Sequence, residues 1–153
     1  MTHETDRPRL LWAGGTVFYV VLGAYATGGG LALLDQWGSL GDATPLHVHR
    51  REAEVFYVLE GSIRAWHLGT PHDLSAGSAV YLPAGQEHAF AVSSDRARVI
   101  TVTTPGMFGD FVAAAGIAAE GVVPARWEFD VGRISAAASA NGIDITGPPP
   151  SLS

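Results

Sequence analysis

Short runs rich in β-branched and aromatic residues, each soon closed by a turn signal, are what most limit how this chain can fold. They are Thr16–Tyr25, Leu31–Trp37, Leu46–His49, Val55–Leu59, Ile63–His67, Ala79–Leu82, Ala89–Val92 and Val99–Val102. Gly61, Pro71, Gly77, Pro83-Ala84-Gly85 and Ser93-Ser94-Asp95 punctuate them. Many short strands at this spacing predict an all-β sandwich or small barrel. With 153 residues, 47% hydrophobic and 16% charged, the chain has the apolar surface to give such a fold a core.

The pattern changes at Pro105-Gly106. Met107, Phe108, Phe111, Val112 and Ala115 fall at helical spacing, which predicts a helix over Met107–Ala119 that packs its aromatic side on the barrel. A second helix is expected over Val131–Ala140, with Asp130 as N-cap and Gly142 just past its end. Gly147-Pro148-Pro149-Pro150 cannot continue a helix and is expected to lie extended over a surface.

From Leu10 to Leu34 no residue is charged, a length that would cross a bilayer or pose as an export signal cleaved after Ala24-Tyr25-Ala26. Six glycines in the segment oppose a helix, and Glu4 and Asp6 offset Arg7 and Arg9 ahead of it. Val17-Phe18-Tyr19-Val20-Val21 is strand-like. The segment therefore reads as two strands joined by a glycine turn, and the protein as cytoplasmic, without a membrane partner. A net charge of −6, carried against nine arginines and no lysine, makes nucleic acid a poor partner. The absence of cysteine excludes a thiol nucleophile, disulfides and thiolate metal sites. The absence of lysine excludes Schiff-base chemistry.

What chemistry remains gathers around histidine. His47 and His49 are two apart on a predicted strand, so their side chains share a face. Glu54 comes five residues after His49, an odd interval that an unbroken strand would send to the other face. The polar stretch Arg50-Arg51-Glu52-Ala53 supplies a turn that restores it to the same interior. His88 opens another strand after the Pro83-Ala84-Gly85 turn. Three imidazoles and a carboxylate suit one divalent Fe, Mn, Co, Ni or Zn ion and are too nitrogen-rich for Ca or Mg. His67 and His72 read as strand-end or loop residues. Arg50 and Arg51 read as a solvated pair that would attract an anion only secondarily. Strand alternation puts Phe56 on the face of Glu54 and Phe90 on the face of His88, which makes these two aromatics the candidate cavity lining.

These residues carry a resemblance. Gly41, His47, His49, Glu54 and Gly61 stand at the fixed positions of the first cupin motif, and Gly77, Pro83, Gly85 and His88 at those of the second. The second motif's closing Asn is Val92 here, which removes a hydrogen-bonding position and no metal ligand. Thr27-Gly28-Gly29, Thr104-Pro105-Gly106 with Phe108 and Phe111, Gly142-Ile143 and Gly147-Pro148-Pro149 further resemble single-domain quercetin 2,3-dioxygenase-like cupins. The resemblance implies one cupin domain over residues 1–153: a small jelly-roll barrel at about 14–104 and a helical, Pro-rich extension at 105–153. It also implies a metal held by His47, His49, Glu54 and His88, with dioxygenase activity on a flavonol-like or other enolisable aromatic small molecule. Glu54 would then be the catalytic proton acceptor, and Phe56 and Phe90 the substrate-binding aromatics. A non-oxidative isomerase, cyclase or lyase, or a binding protein without turnover, would use the same ligand set. Exposed sheet edges and the apolar Leu10–Leu34 segment add the expectation of a homodimer.

Overall fold

The computed structural model describes residues 10–13, 16–118 and 130–153. The expected barrel start at residue 14 and the expected helix end at Ala119 lie outside them. Two antiparallel sheets face each other. The strands are β1 (Leu10–Ala13), β2 (Thr16–Leu22), β3 (Ala32–Ser39), β4 (Leu46–His49), β5 (Ala53–Glu60), β6 (Ser62–His67), β7 (Thr70–Ser75), β8 (Ala79–Leu82), β9 (His88–Val92), β10 (Arg96–Thr104), β11 (Ile117–Ala118) and β12 (Ile143–Gly147). The helices are α1 (Ala24–Thr27), α2 (Phe108–Ala115) and α3 (Val131–Ala140). One sheet runs β11-β1-β2-β3-β10-β5-β8 and the other β12-β4-β9-β6-β7. Mostly β architecture with short helices is what the spacing of the runs predicts.

Alternation decides which side chains meet between the sheets. Along β5, Glu54, Phe56 and Val58 point inward and are buried, whereas Tyr57 and Leu59 face out. Along β10, Ala97, Val99, Thr101 and Thr103 do the same. Phe56, Val58, Ile63, Leu82, Phe90 and Val99 thus form one continuous apolar cluster. Each fully buried Leu or Ile in it contributes about 1.5–3 kcal/mol.

Local details differ from the sequence reading or add to it. The uncharged N-terminal segment forms strands, as expected, but its first long run stops at Leu22 and the four-residue α1 precedes the glycine turn. Strand β7 had no apolar alternation to announce it: it is almost wholly exposed, and its Pro71 is tolerated because it forms the sheet edge. Helix α2 ends at Ala115, where Gly116 turns to extended backbone, and β11 follows at once. Ile143–Gly147, ahead of the prolines, is a strand paired with β4. The apolar face of α2 does more than pack, as described below. The second helix is as expected: Asp130 accepts a hydrogen bond from the Arg133 backbone N–H at 2.9 Å, and Gly142 adopts φ 72° beyond the end. No helix among the described residues is long and apolar enough to cross a membrane.

Gly61, in the tight β5–β6 turn, has φ 71°, and a Cβ there would lie 2.0 Å from the Arg96 carbonyl oxygen. Gly77 has φ 89° but open space around it. Gly77→Ala should therefore cost about 1–2 kcal/mol from backbone strain alone. Gly61→Ala meets a backbone atom as well and should cost clearly more. Denaturant unfolding of the two variants checks this ordering; equal losses would contradict it.

Candidate metal centre

The two sheets deliver the four ligand candidates from opposite sides. His47 and His49 are the buried positions of β4, and His47 pairs directly with His88 at the start of β9. The chain bends at Arg50 and Arg51, crosses to the other sheet and enters β5, which brings Glu54 inward against them. Glu54 thus reaches the interior because the bend changes sheets. One atom from each of the four residues lies within 4.8 Å of the others, and all four residues are buried. The imidazole centroids stand 4.4 Å (His47–His88), 5.1 Å (His47–His49) and 5.4 Å (His49–His88) apart.

Hydrogen bonds at the outer ring nitrogens fix the tautomers. His47 Nδ1 donates to the Pro45 carbonyl at 2.8 Å and His88 Nδ1 to the Gln86 carbonyl at 3.0 Å. His49 Nδ1 donates to the Glu52 carboxylate at 3.0 Å. In the neutral rings all three Nε2 lone pairs therefore face the centre. His49 Nε2 is buried and has no hydrogen-bond partner. His88 Nε2 lies 2.8 Å from Glu54 Oε2, so an acceptor on a neutral ring faces a carboxylate acceptor unless a cation or a proton lies between them. An orphaned nitrogen, inward lone pairs and a three-nitrogen, one-oxygen donor set fit a first-row divalent ion.

The charges support that arrangement. Burial, reinforced by His88 and His49, pushes His47 down to about 3. Burial pushes His49 down too, but Glu54 and the Glu52 hydrogen bond outweigh it and hold His49 above its usual value. Burial acts to raise Glu54, yet His49, His88 and His47 together keep its carboxyl below the usual carboxylate range.

A cavity open to solvent lies beside the centre, walled chiefly by apolar side chains. His47 and Glu54 form part of its wall, and so do Phe56 and Phe90, whose rings meet edge to face at 5.1 Å. Phe108 and Phe111 of α2 close another side, stacked at 5.5 Å, so this helix walls the cavity as well as packing on the barrel. Two polar residues that sequence reasoning did not single out belong here. Glu52, read only as part of a polar turn, is 2% exposed and holds His49. Its even spacing from Glu54 was the available signal. Gln36 lines the cavity, is 2% exposed, and its amide nitrogen has no partner. By contrast His67 bonds Gln86 at 2.5 Å and His72 lies on the exposed edge strand, so neither joins the cluster. Arg50 is engaged by Asp144 of β12.

Replacing His47, His49 or His88 by alanine should sharply weaken retention of Zn or Co. His49 should contribute to proton competition and His47 should not, because His47 stays neutral across the ordinary range. A metal must displace that proton below His49's raised pKa, so affinity should fall as pH falls from 8 to 6, by up to about tenfold per unit for each proton displaced. Chelator competition across that range measures it, and a flat profile would contradict it.

Comparison with known proteins agrees with this architecture. Residues 40–103 match the family described as the Cupin domain. The chain is 29% identical over 131 residues to quercetin 2,3-dioxygenase of Bacillus subtilis (strain 168), covering 83% of this chain. It spans only 38% of that relative's length. Among solved structures, a predicted oxalate decarboxylase from Thermotoga maritima superposes with a TM-score of 0.61 at 16% identity, covering 69% of this chain and 99% of that one. An RmlC-like cupin from Shewanella frigidimarina gives 0.58 at 20% identity, covering 69% and 92%. At these identities the two structures bear on fold alone. Motif spacing, paired antiparallel sheets and the matched segment together make residues 40–103 similar to the cupin domain, within a fold that solved cupins share.

Proposed function

We propose that the chain is a mononuclear metal-dependent dioxygenase acting on a flavonol-like or other enolisable aromatic small molecule. The observation that carries this reading is the cavity itself, whose largely apolar wall includes five phenylalanines and is interrupted by Glu54 and His47 on the metal side. Phe56 and Phe90 offer faces to a flat ring system, and burial there removes water from it. Gln36 presents an unpaired buried amide to the same space, and leaving such a group unmatched costs about 1–3 kcal/mol. A ligand carrying an oxygen acceptor would relieve that cost. The substrate is thus read as an aromatic with polar groups at separate edges. The similarity to quercetin 2,3-dioxygenase supports the same class.

A divalent ion held by His47, His49, Glu54 and His88 would supply Lewis acidity to a substrate hydroxyl and bring it together with dioxygen. Glu54, kept ionised by the surrounding imidazoles, accepts the hydroxyl proton. The apolar walls exclude bulk water from the exposed carbanion character that follows.

Glu54→Gln should lower turnover per bound metal by about 10²–10⁴-fold, the usual loss when a general base is removed. Dioxygen uptake with quercetin as probe, normalised to metal content, measures it. Equal rates per metal would reduce Glu54 to a ligand, and equal product formation under argon would replace the dioxygenase by a non-oxidative enzyme.

We also propose a homodimer. Val21, Leu22 and Tyr25 are exposed near one end of the larger sheet, Tyr25 at 91%, and a second copy would cover them. Light scattering should give twice the 16.0 kDa chain mass; the chain mass itself at micromolar concentration would overturn it.

A further inference from the structure

Glu52 holds two parts of the molecule at once. Its Oε2 accepts the Nδ1–H of His49 at 3.0 Å, and its Oε1 accepts the backbone N–H of Phe108, the first residue of α2, at 2.7 Å. Helix α2 needs an acceptor there: Met107, its N-cap, makes no side-chain capping bond. The acceptor comes instead from 56 residues earlier in the chain. A carboxylate is also favoured at that place by the helix dipole. Phe108 is itself a wall of the cavity, its ring 5.4 Å from that of His49.

The chemistry of this junction is exclusive. Two buried N–H donors converge on one side chain, and only an ionised carboxylate offers two acceptor oxygens and no donor. A glutamine of the same shape would point its NH2 either at the helix N–H or at His49 Nδ1. The second choice would move the ring proton to Nε2, where the metal lone pair has to be. When a cation binds His49 Nε2, it draws electron density through the ring and strengthens the Nδ1–H bond to Glu52, as outer partners of metal-bound histidines do. The same carboxylate then holds α2 across the cavity. Coupling of this kind is reciprocal.

We propose that Glu52 is a positioning residue that couples metal loading at His49 to the seating of α2 on the cavity. The proposal rests on the metal-centre reading above and is independent of which reaction follows. Its consequence is that a loaded site is also a closed one: the aromatic wall contributed by Phe108 and Phe111 is firmest when the ion is bound.

The test uses Co(II) as probe and needs no substrate. Hydrogen exchange is followed across residues 108–115 of the full chain with and without saturating Co(II), and affinity is measured by chelator competition. In the wild type, Co(II) should slow exchange in this segment. Glu52→Gln should bind Co(II) 10–100-fold more weakly, and at saturation the slowing should be lost. A purely structural Glu52 would speed exchange equally with and without the ion, leaving the difference intact; that result overturns the coupling. So does a wild type that binds Co(II) with no change at 108–115, a comparison that stands even if the variant fails to fold. A wild type that does not bind Co(II) removes the metal-centre reading and this proposal with it.

Discussion

The outward Nδ1–H bonds of three imidazoles are the constraint on which the rest of this molecule turns. Each ring is buried, and a buried imidazole with a free donor would cost about 1–3 kcal/mol. The fold removes that cost with the Pro45 and Gln86 carbonyls and the Glu52 carboxylate, and in doing so aims three lone pairs at one point. Two of those acceptors are backbone atoms just two residues before the histidine they hold. The local chain path is therefore also the orienting device, and any change in the turns before β4 or β9 would turn the rings.

The division of labour between chain segments is equally clear. All four ligand candidates lie inside residues 40–103, the stretch that matches the cupin family. Much of the cavity wall does not: Phe18 and Gln36 come from before it or its start, and Phe108, Phe111, Ile134 and Ile143 from after it. The shared core carries the donor set, and the flanking strands and helices shape the space that a ligand meets. That separation explains why the motifs speak firmly about the metal and weakly about the substrate.

What was legible in the sequence follows the range of the interactions involved. His47 and His49 were visible because strand periodicity is local, and His88 because a Pro-Ala-Gly turn announces the strand it opens. Glu54 needed a turn to correct its parity, and the structure supplies one as a change of sheet. Glu52 stayed hidden because its meaning depends on Phe108, whose position no nearby residue specifies. Gln36 follows Asp35 in β3, and only the cavity that both sheets and the helices enclose makes its amide conspicuous. Strand β7 carries a single apolar side chain that reaches the core, Leu74, and is held mainly by its pairing with β6, a partner that hydrophobic pattern does not reveal.

Strand β12 ties the histidine strand β4 to the far end of the described chain. It pairs Ile143 with His49 and Ile145 with His47, and its neighbouring ion pair, Arg50 with Asp144, joins residues 94 apart in sequence. Contacts across so long a loop are closed late, because the entropy of bringing the ends together is lost before the contact repays it. The β6–β7 pairing is local, whereas the histidine strand takes one of its two partners from the far end of the described chain. An ion held by His47 and His49 would therefore favour the completed barrel, in which both strands that flank β4 are in place.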